Sequence, residues 1–291
     1  MELNSEVVHT PPRPAATIVL LRDAEPGLEV FMIKRSGLSD VLGDAYVFPG
    51  GKVDGDDASE GVLGRLDTPA PDLHRALGEP EIDVATAAGL FVAALRETFE
   101  EAGLLLSPGM TEARMREVSA AARDGLSFAD VLDRFALELA ASGLAPWCRW
   151  ITPKMPSVMR KRFDTRFFVA SVPQGLEPVH DDHEATHSEW VRPRQALERY
   201  RDKEIDLAPP QIQSLAHLAR HRTVADVIRE ARLRPPPVIR PEPFEENGTR
   251  VLAYPGDPRH PERARALPGP TRLIHRAGRF EPIEGFEAFF A

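Results

Sequence analysis

The run Arg96-Glu97-Thr98-Phe99-Glu100-Glu101-Ala102-Gly103-Leu104 constrains this chain more than any other stretch. Residues 85 to 102 have a helical pattern. Phe91, Ala94, Leu95, Thr98 and Ala102 recur at three- and four-residue steps, and Gly103 stands where a left-handed cap ends a helix. Glu97, Glu100 and Glu101 then fall at i, i+3 and i+4, on the face opposite the apolar stripe. Like charges at those spacings cost helix stability, and they come late in the helix, where the macrodipole favours cations. One reading is a solvated acidic face. The other is a divalent cation, which reverses the penalty because hard ions such as Mg²⁺ take carboxylate oxygens.

What shifts the balance is the company. Upstream stands Phe48-Pro49-Gly50-Gly51-Lys52-Val53-Asp54, whose two glycines let backbone approach a ligand or ion closely. With it, the chain resembles the Nudix hydrolases, whose signature is G-x5-E-x7-R-E-U-x-E-E-x-G-U, where U is aliphatic. The distal half is present from Arg96 to Leu104, with Thr98 at the first aliphatic position. The proximal half starts at Gly51 and puts Asp57 where the first glutamate is expected. Residues 58 to 95 then replace the seven-residue gap, an insertion of 31 positions.

The resemblance implies an α/β fold, a Nudix-type α/β/α sandwich with a mixed β-sheet, here carrying a helical insertion and a C-terminal extension. It implies Mg²⁺ or Mn²⁺ held by Glu97, Glu100 and Glu101, with the Gly50 carbonyl completing the shell and Arg96 orienting the cluster by ion pairing. Water would then attack phosphorus in a nucleoside diphosphate linked to another group. The base that takes its proton is a glutamate of the helix or one from a later loop, where Glu184 is the candidate and Asp181 and Asp182 the runners-up. Arg35, Gly51, Lys52 and Arg166 are the candidate substrate contacts, Arg166 being equally suited to a structural ion pair. His180, His183 and His187 form no evident tetrahedral zinc set.

Two further stretches, Asp44 to Asp54 and Trp150-Ile151-Thr152-Pro153 with Arg162 to Phe168, are similar to the peroxisomal coenzyme A diphosphatase branch and its bacterial relatives. That likeness implies cleavage of coenzyme A or acyl-CoA to 4′-phosphopantetheine and adenosine 3′,5′-bisphosphate. In the longer coenzyme A signature, Arg35 and Ser36 match but Asp40 and Asp44 stand in place of arginine and glycine. A broad ADP-ribose or dinucleotide pyrophosphatase and a non-catalytic nucleotide-binding module are the alternatives.

The rest of the chain is arranged around this centre. Residues 1–14 look like a loose arm, 15–233 like the catalytic domain with insertions at 58–80 and 105–146, and 234–291 like an extension. Within the domain the pattern predicts strands at 16–22, 28–34, 147–151 and 162–170, and another through Trp190. Helices are expected at 111–122, from Ser127 to Leu139, from Pro193, and at 209–219 and 223–231. The segment 58–80 has no clear period and reads as a surface loop with short helical pieces. Beyond Pro235-Pro236-Pro237, hairpins are expected at Asn247-Gly248 and Ala277-Gly278, serving as a lid, a dimerisation arm or a cover for the sheet edge.

A net charge of −9 argues against a nucleic-acid binder, which needs clustered Lys and Arg. The single cysteine, Cys148, forms no intrachain disulfide. No 18-residue apolar run or hydrophobic leader is evident, so no membrane association and a cytoplasmic location are expected. The partner is a small nucleotide-diphosphate substrate, and a homodimer stays open.

Overall fold

In a computed structural model of the chain, residues 3–4, 6–37, 42–155, 161–181 and 185–291 are described. Two strands, β1 (Arg13–Ala24) and β2 (Gly27–Arg35), form a hairpin whose arms pair only near the turn, through Leu21↔Val30 to Ala24↔Gly27. Beyond that they splay. The wedge between them is filled by β3 (Tyr46–Val47) on β2 and β4 (Gly50–Lys52) on β1. The Gly-Gly corner is thus clamped inside the sheet rather than left as an exposed turn.

The chain then forms α1 (Glu60–Leu63), α2 (Ala70–Leu77) and the long α3 (Val84–Ala102). Asp83 caps α3 by accepting from the Thr86 N–H, and Gly103 closes it at φ 58°. After α4 (Glu112–Arg123) and α5 (Phe128–Arg134) come β5 (Ala145–Ile151), β6 (Phe163–Ser171) and β7 (Ala185–Val191). β6 runs parallel to β1 and antiparallel to β5, while β7 lies antiparallel on β2, so the sheet is mixed. Helices α6 (Pro193–Arg201), α7 (Pro209–Leu218) and α8 (Val224–Leu233) follow.

Strand alternation divides the core in two. Ala16, Ile18, Leu20, Phe31 and Ile33 pack on α3 and both insertions, whereas Val19, Leu21, Val30 and Met32 pack on α6, α7 and α8. This is the expected α/β/α sandwich. No helix among the described residues is long and apolar enough to cross a membrane.

Several expectations change in detail. The arm before β1 is tied down, because the Val8 N–H donates to the Lys154 carbonyl at 2.7 Å and Arg162 donates to the Thr10 carbonyl at 3.0 Å. The insertion 58–80 holds the expected short helical pieces, α1 and α2, but it does not stay on the surface: Val62, Leu73 and Leu77 are buried in the α3-side core. The helix from Ser127 stops at Arg134, well short of Leu139, and Ala136 turns at φ 47° with no glycine to announce it. The three glutamates do not share a solvated face either. α3 is buried almost all round, and Glu101 is only 3 % exposed.

The C-terminal segment covers a sheet edge and then builds a second layer. β8 (Val238–Ile239) adds in parallel to β5. β9 (Glu242–Glu246), β10 (Thr249–Ala253), β11 (Arg272–Arg276) and β12 (Arg279–Pro282) form an antiparallel sheet of order β12-β11-β10-β9. Leu252, Tyr254, Leu273, Phe280 and Phe289 join the core on the α6–α8 side. Both expected hairpins are present.

Candidate active site

One side chain organises the acidic end of α3. Arg96, 7 % exposed, donates from Nε to Asp57 Oδ1 at 2.8 Å and from one terminal nitrogen to Asp57 Oδ2 at 3.0 Å. That nitrogen also reaches the Lys52 carbonyl at 2.9 Å, and the other spans Glu97 Oε1 and Glu100 Oε2, each at 2.9 Å. Burial by itself would lower the guanidinium's pKa. The Asp57 hydrogen bonds and the charges of Glu97, Asp57 and Glu100 outweigh it and hold Arg96 above its ordinary value. Asp57, 2 % exposed, also accepts from the Asp54 N–H at 2.8 Å. The inserted residues therefore loop out and return without disturbing the contact between the two halves of the motif. Thr98 fits the first aliphatic position because it is fully buried and its hydroxyl bonds the Ala94 carbonyl one turn back, at 2.8 Å.

Glu101 is held separately. Its two oxygens accept from Arg35 at 3.0 Å and from the Gly50 N–H at 2.8 Å. A Cβ on Gly50 would meet the Ala16 carbonyl oxygen at 2.4 Å and the Thr17 Cα at 2.6 Å. One on Gly51 would lie 2.3 Å from Glu97 Oε2. The glycines are thus what lets β4 come up against both β1 and the carboxylates. Such a cradle suits a divalent cation. Glu97 lies against Gly51, Glu101 accepts from the Gly50 N–H, and Glu100 shares an Arg96 nitrogen with Glu97, so hard carboxylate oxygens line a corner with no side chain to fill it.

These groups line a cavity of about 450 Å³. Gly50, Gly51, Lys52, Arg35, Arg96 and the three glutamates all contribute. Arg166 does not. β6 alternation sends Phe163, Thr165 and Phe167 to the cavity, while Arg166 pairs with both oxygens of Glu79 (Nε to Oε1 at 2.9 Å) and with Asp164 Oδ2 at 3.1 Å. Arg149 joins that network through Glu79, Glu81 and Asp164. Of the two roles open to Arg166 from the sequence, its placement fits the structural ion pair and not a substrate contact.

The proposed loop base, Glu184, lies outside the described residues, as do Asp182, His183 and Asp40. Both flanks of the loop border the site. The Asp181 N–H donates to the Glu101 carbonyl at 3.1 Å, and Ala185 is registered opposite Arg35 on β2. His180 bonds Ser188 Oγ at 2.8 Å and His187 packs edge-on to Tyr46. Neither belongs to a metal-binding group among the described residues.

A group the sequence reading did not single out joins α7 to α8. The Glu230 carboxylate is approached by His217 Nε2 at 2.9 Å, His221 Nε2 at 3.0 Å and Arg234 Nε at 2.9 Å. Arg234 already supplies a cation to that carboxylate and stacks on Trp147, so the cluster is a packed ionic knot. Burial pushes His217 down to about 4. Part of the cavity lining was also not foreseen. Trp150, Gln211, Pro241 and Leu252 also line it, drawn from β5, α7 and the C-terminal segment, elements that no local motif links.

Comparison with known proteins gives the family and the fold. The family model described as the NUDT19 Nudix domain matches residues 6–218. The chain is 27 % identical over 276 residues to the acyl-coenzyme A diphosphatase NUDT19 of Xenopus laevis, covering 80 % of this chain and 72 % of that one. It is 29 % identical to the Gallus gallus protein of the same name, covering 68 % and 63 % respectively, so over a third of the chicken protein falls outside the match. A Nudix hydrolase crystal structure from Alicyclobacillus acidocaldarius superposes with TM-score 0.61 at 27 % identity, over 76 % of this chain and 97 % of that one.

Proposed function

The chain belongs to the Nudix hydrolase family, in the group of the NUDT19 Nudix domain, and from that premise we propose that it cleaves the pyrophosphate of coenzyme A or acyl-CoA in a metal-dependent reaction. The products would be 4′-phosphopantetheine, or its acylated form, and adenosine 3′,5′-bisphosphate. The observation that carries the reading is that Glu97, Glu100 and Glu101 line one cavity beside the Gly50-Gly51 corner, Glu97 against Gly51 and Glu101 on the Gly50 N–H. The names of the frog and chicken relatives support the substrate class.

Glu97, Glu100 and Glu101 would hold Mg²⁺ or Mn²⁺, which when bound neutralises pyrophosphate charge and lowers the pKa of water. Arg96 keeps Glu97 and Glu100 together, and Asp57 keeps Arg96 in place. Arg35 and the Gly50 N–H fix Glu101. Lys52 and Arg35, lining the same cavity, supply positive charge for phosphate oxygens. The proton leaving the attacking water passes to a carboxylate, either Glu100, whose side chain is the most open of the three at 47 % exposure, or Glu184.

The test is a screen of CoA, acetyl-CoA, ADP-ribose, NADH and diadenosine polyphosphates with Mg²⁺ or Mn²⁺, with products identified. Adenosine 3′,5′-bisphosphate from CoA supports the proposal. AMP from ADP-ribose without turnover of CoA replaces it with the broader pyrophosphatase, and no product from any substrate leaves a binding module.

A further inference from the structure

The C-terminal segment does more than cover an edge of the first sheet. β8 pairs with β5 only through Arg149↔Val238 and Trp150↔Ile239, and the chain then turns at Arg240 and Pro241 into β9. Pro241 lines the same cavity as Glu97, Glu100 and Glu101. So does Leu252, which β10 places opposite Pro243 of β9. Tyr254 packs edge-on to Trp150, another lining residue, with ring centroids 6.0 Å apart. Pro241, Leu252 and Tyr254 all lie past residue 218, where the family match ends.

The corner at Arg240 and Pro241 is poor in backbone donors. Pro237, Pro241 and Pro243 have no N–H, so carbonyls carry much of its attachment. The Pro237 carbonyl accepts from the Arg149 N–H at 2.9 Å, and the Arg240 carbonyl accepts from His260 Nε2 at 2.8 Å. The other ring nitrogen assigns the tautomer: His260 Nδ1 accepts from the Glu262 N–H at 3.0 Å, which leaves the hydrogen on Nε2. His260 is 4 % exposed, and its own N–H donates to the Asp257 carbonyl at 3.0 Å. The Asp257 carboxylate in turn takes the Arg259 N–H and two nitrogens of Arg272, each at 2.8 Å. Arg272 opens β11. A continuous set of hydrogen bonds thus runs from the second sheet through His260 to the residue before Pro241.

We propose that His260 is a positioning residue of the cavity, tying the Arg240-Pro241 corner to the second sheet so that this sheet sets where Pro241 and Leu252 stand against bound substrate. The proposal rests on the reading of the cavity as the substrate site and deepens it, giving the C-terminal segment a part in substrate binding. The carboxylates of α3 have their own supports in Arg96 and Arg35, so a shift of the corner leaves them in place. A wall that touches substrate alike in the ground and transition states acts on KM and not on kcat.

The test compares full-length wild type, His260→Leu and His260→Gln. Leucine removes the donor, whereas the glutamine amide is long enough to return an N–H to the Arg240 carbonyl. KM for CoA should rise about two- to tenfold in His260→Leu, the scale of one hydrogen bond, with kcat and Mn²⁺ affinity within about twofold of wild type. His260→Gln should bring KM back to within about twofold. A lower Tm with unchanged KM in His260→Leu makes the residue structural only and overturns the proposal, as does a fall in kcat or Mn²⁺ affinity as large as the change in KM. Should the leucine variant melt early, Pro241→Ala leaves His260 in place and shortens the wall; it should raise KM in the same way, and an unchanged KM there is equally fatal. A wild type that leaves CoA intact but hydrolyses ADP-ribose refutes the coenzyme A reading alone, and the KM comparison is then decided with ADP-ribose. A wild type that turns over none of the screened compounds overturns both.

Discussion

Removing the Asp57 carboxylate should disable the site from behind. Asp57→Ala takes away two of the five hydrogen bonds of Arg96, those to Oδ1 at 2.8 Å and Oδ2 at 3.0 Å, and leaves the Asp54 N–H without its acceptor. Breaking one side of a buried ion pair costs about 3–5 kcal/mol when a charge is stranded. Here Glu97, Glu100 and the more distant Asp54 still face Arg96, so the stranding is partial and about 2–4 kcal/mol is expected. For a chain of this size that is a fall in Tm of roughly 5–10 °C. Without its anchor, Arg96 no longer holds Glu97 and Glu100 at one spacing. Metal affinity or kcat should then drop about 10- to 100-fold, the usual effect of losing a residue that orients ligands. Thermal melting, Mn²⁺ titration and steady-state kinetics measure the three quantities. A double-mutant cycle with Arg96→Ala should give a coupling energy above about 1 kcal/mol in both stability and activity. Wild-type Tm and turnover in Asp57→Ala, or strict additivity in the cycle, would refute the view that the two halves of the motif work as one unit across the insertion.

Glu100→Gln and Glu101→Gln should each abolish hydrolysis with the fold retained; turnover near the wild-type rate in either would remove that residue from catalysis. Gly51→Ala drives a methyl group to within 2.3 Å of Glu97 Oε2, so Mn²⁺ binding should weaken about tenfold or more with little change in the far-UV spectrum. Arg166→Met leaves Glu79 and Asp164, on the opposite face of β6, to Arg149 alone, and should lower Tm while leaving KM within about twofold; a large KM effect with an unchanged Tm would return Arg166 to the substrate site. His217 has a folded pKa near 4 against 6.5 unfolded. Between those values only the unfolded chain takes up the proton, so this contribution, about 3 kcal/mol, is lost as pH falls from about 6.5 to about 4 and is constant below. Urea titrations across that range should show a shallower pH dependence in His217→Gln.

The acidic helix α3 was legible in the chain itself because its information is local. Periodicity, the Gly103 stop and three glutamates at helical spacing are all contained in about twenty residues, and one helix turn converts spacing into proximity. The strands and the two C-terminal hairpins were legible for the same reason, through alternation and turn residues. What only the tertiary structure decided depends on contacts between distant segments. It decided that Asp57 still reaches Arg96 past 38 intervening residues, because α1 and α2 fold back onto α3 and bury Val62, Leu73 and Leu77. It turned Arg166 away from the cavity, since strand parity relative to the ligand depends on which face of the sheet the cavity occupies. It also brought Gln211 and Leu252 into one wall with Trp150. Their meeting follows from how α7 and the second sheet pack on β5 and β6, a long-range outcome of core burial that no window of sequence carries.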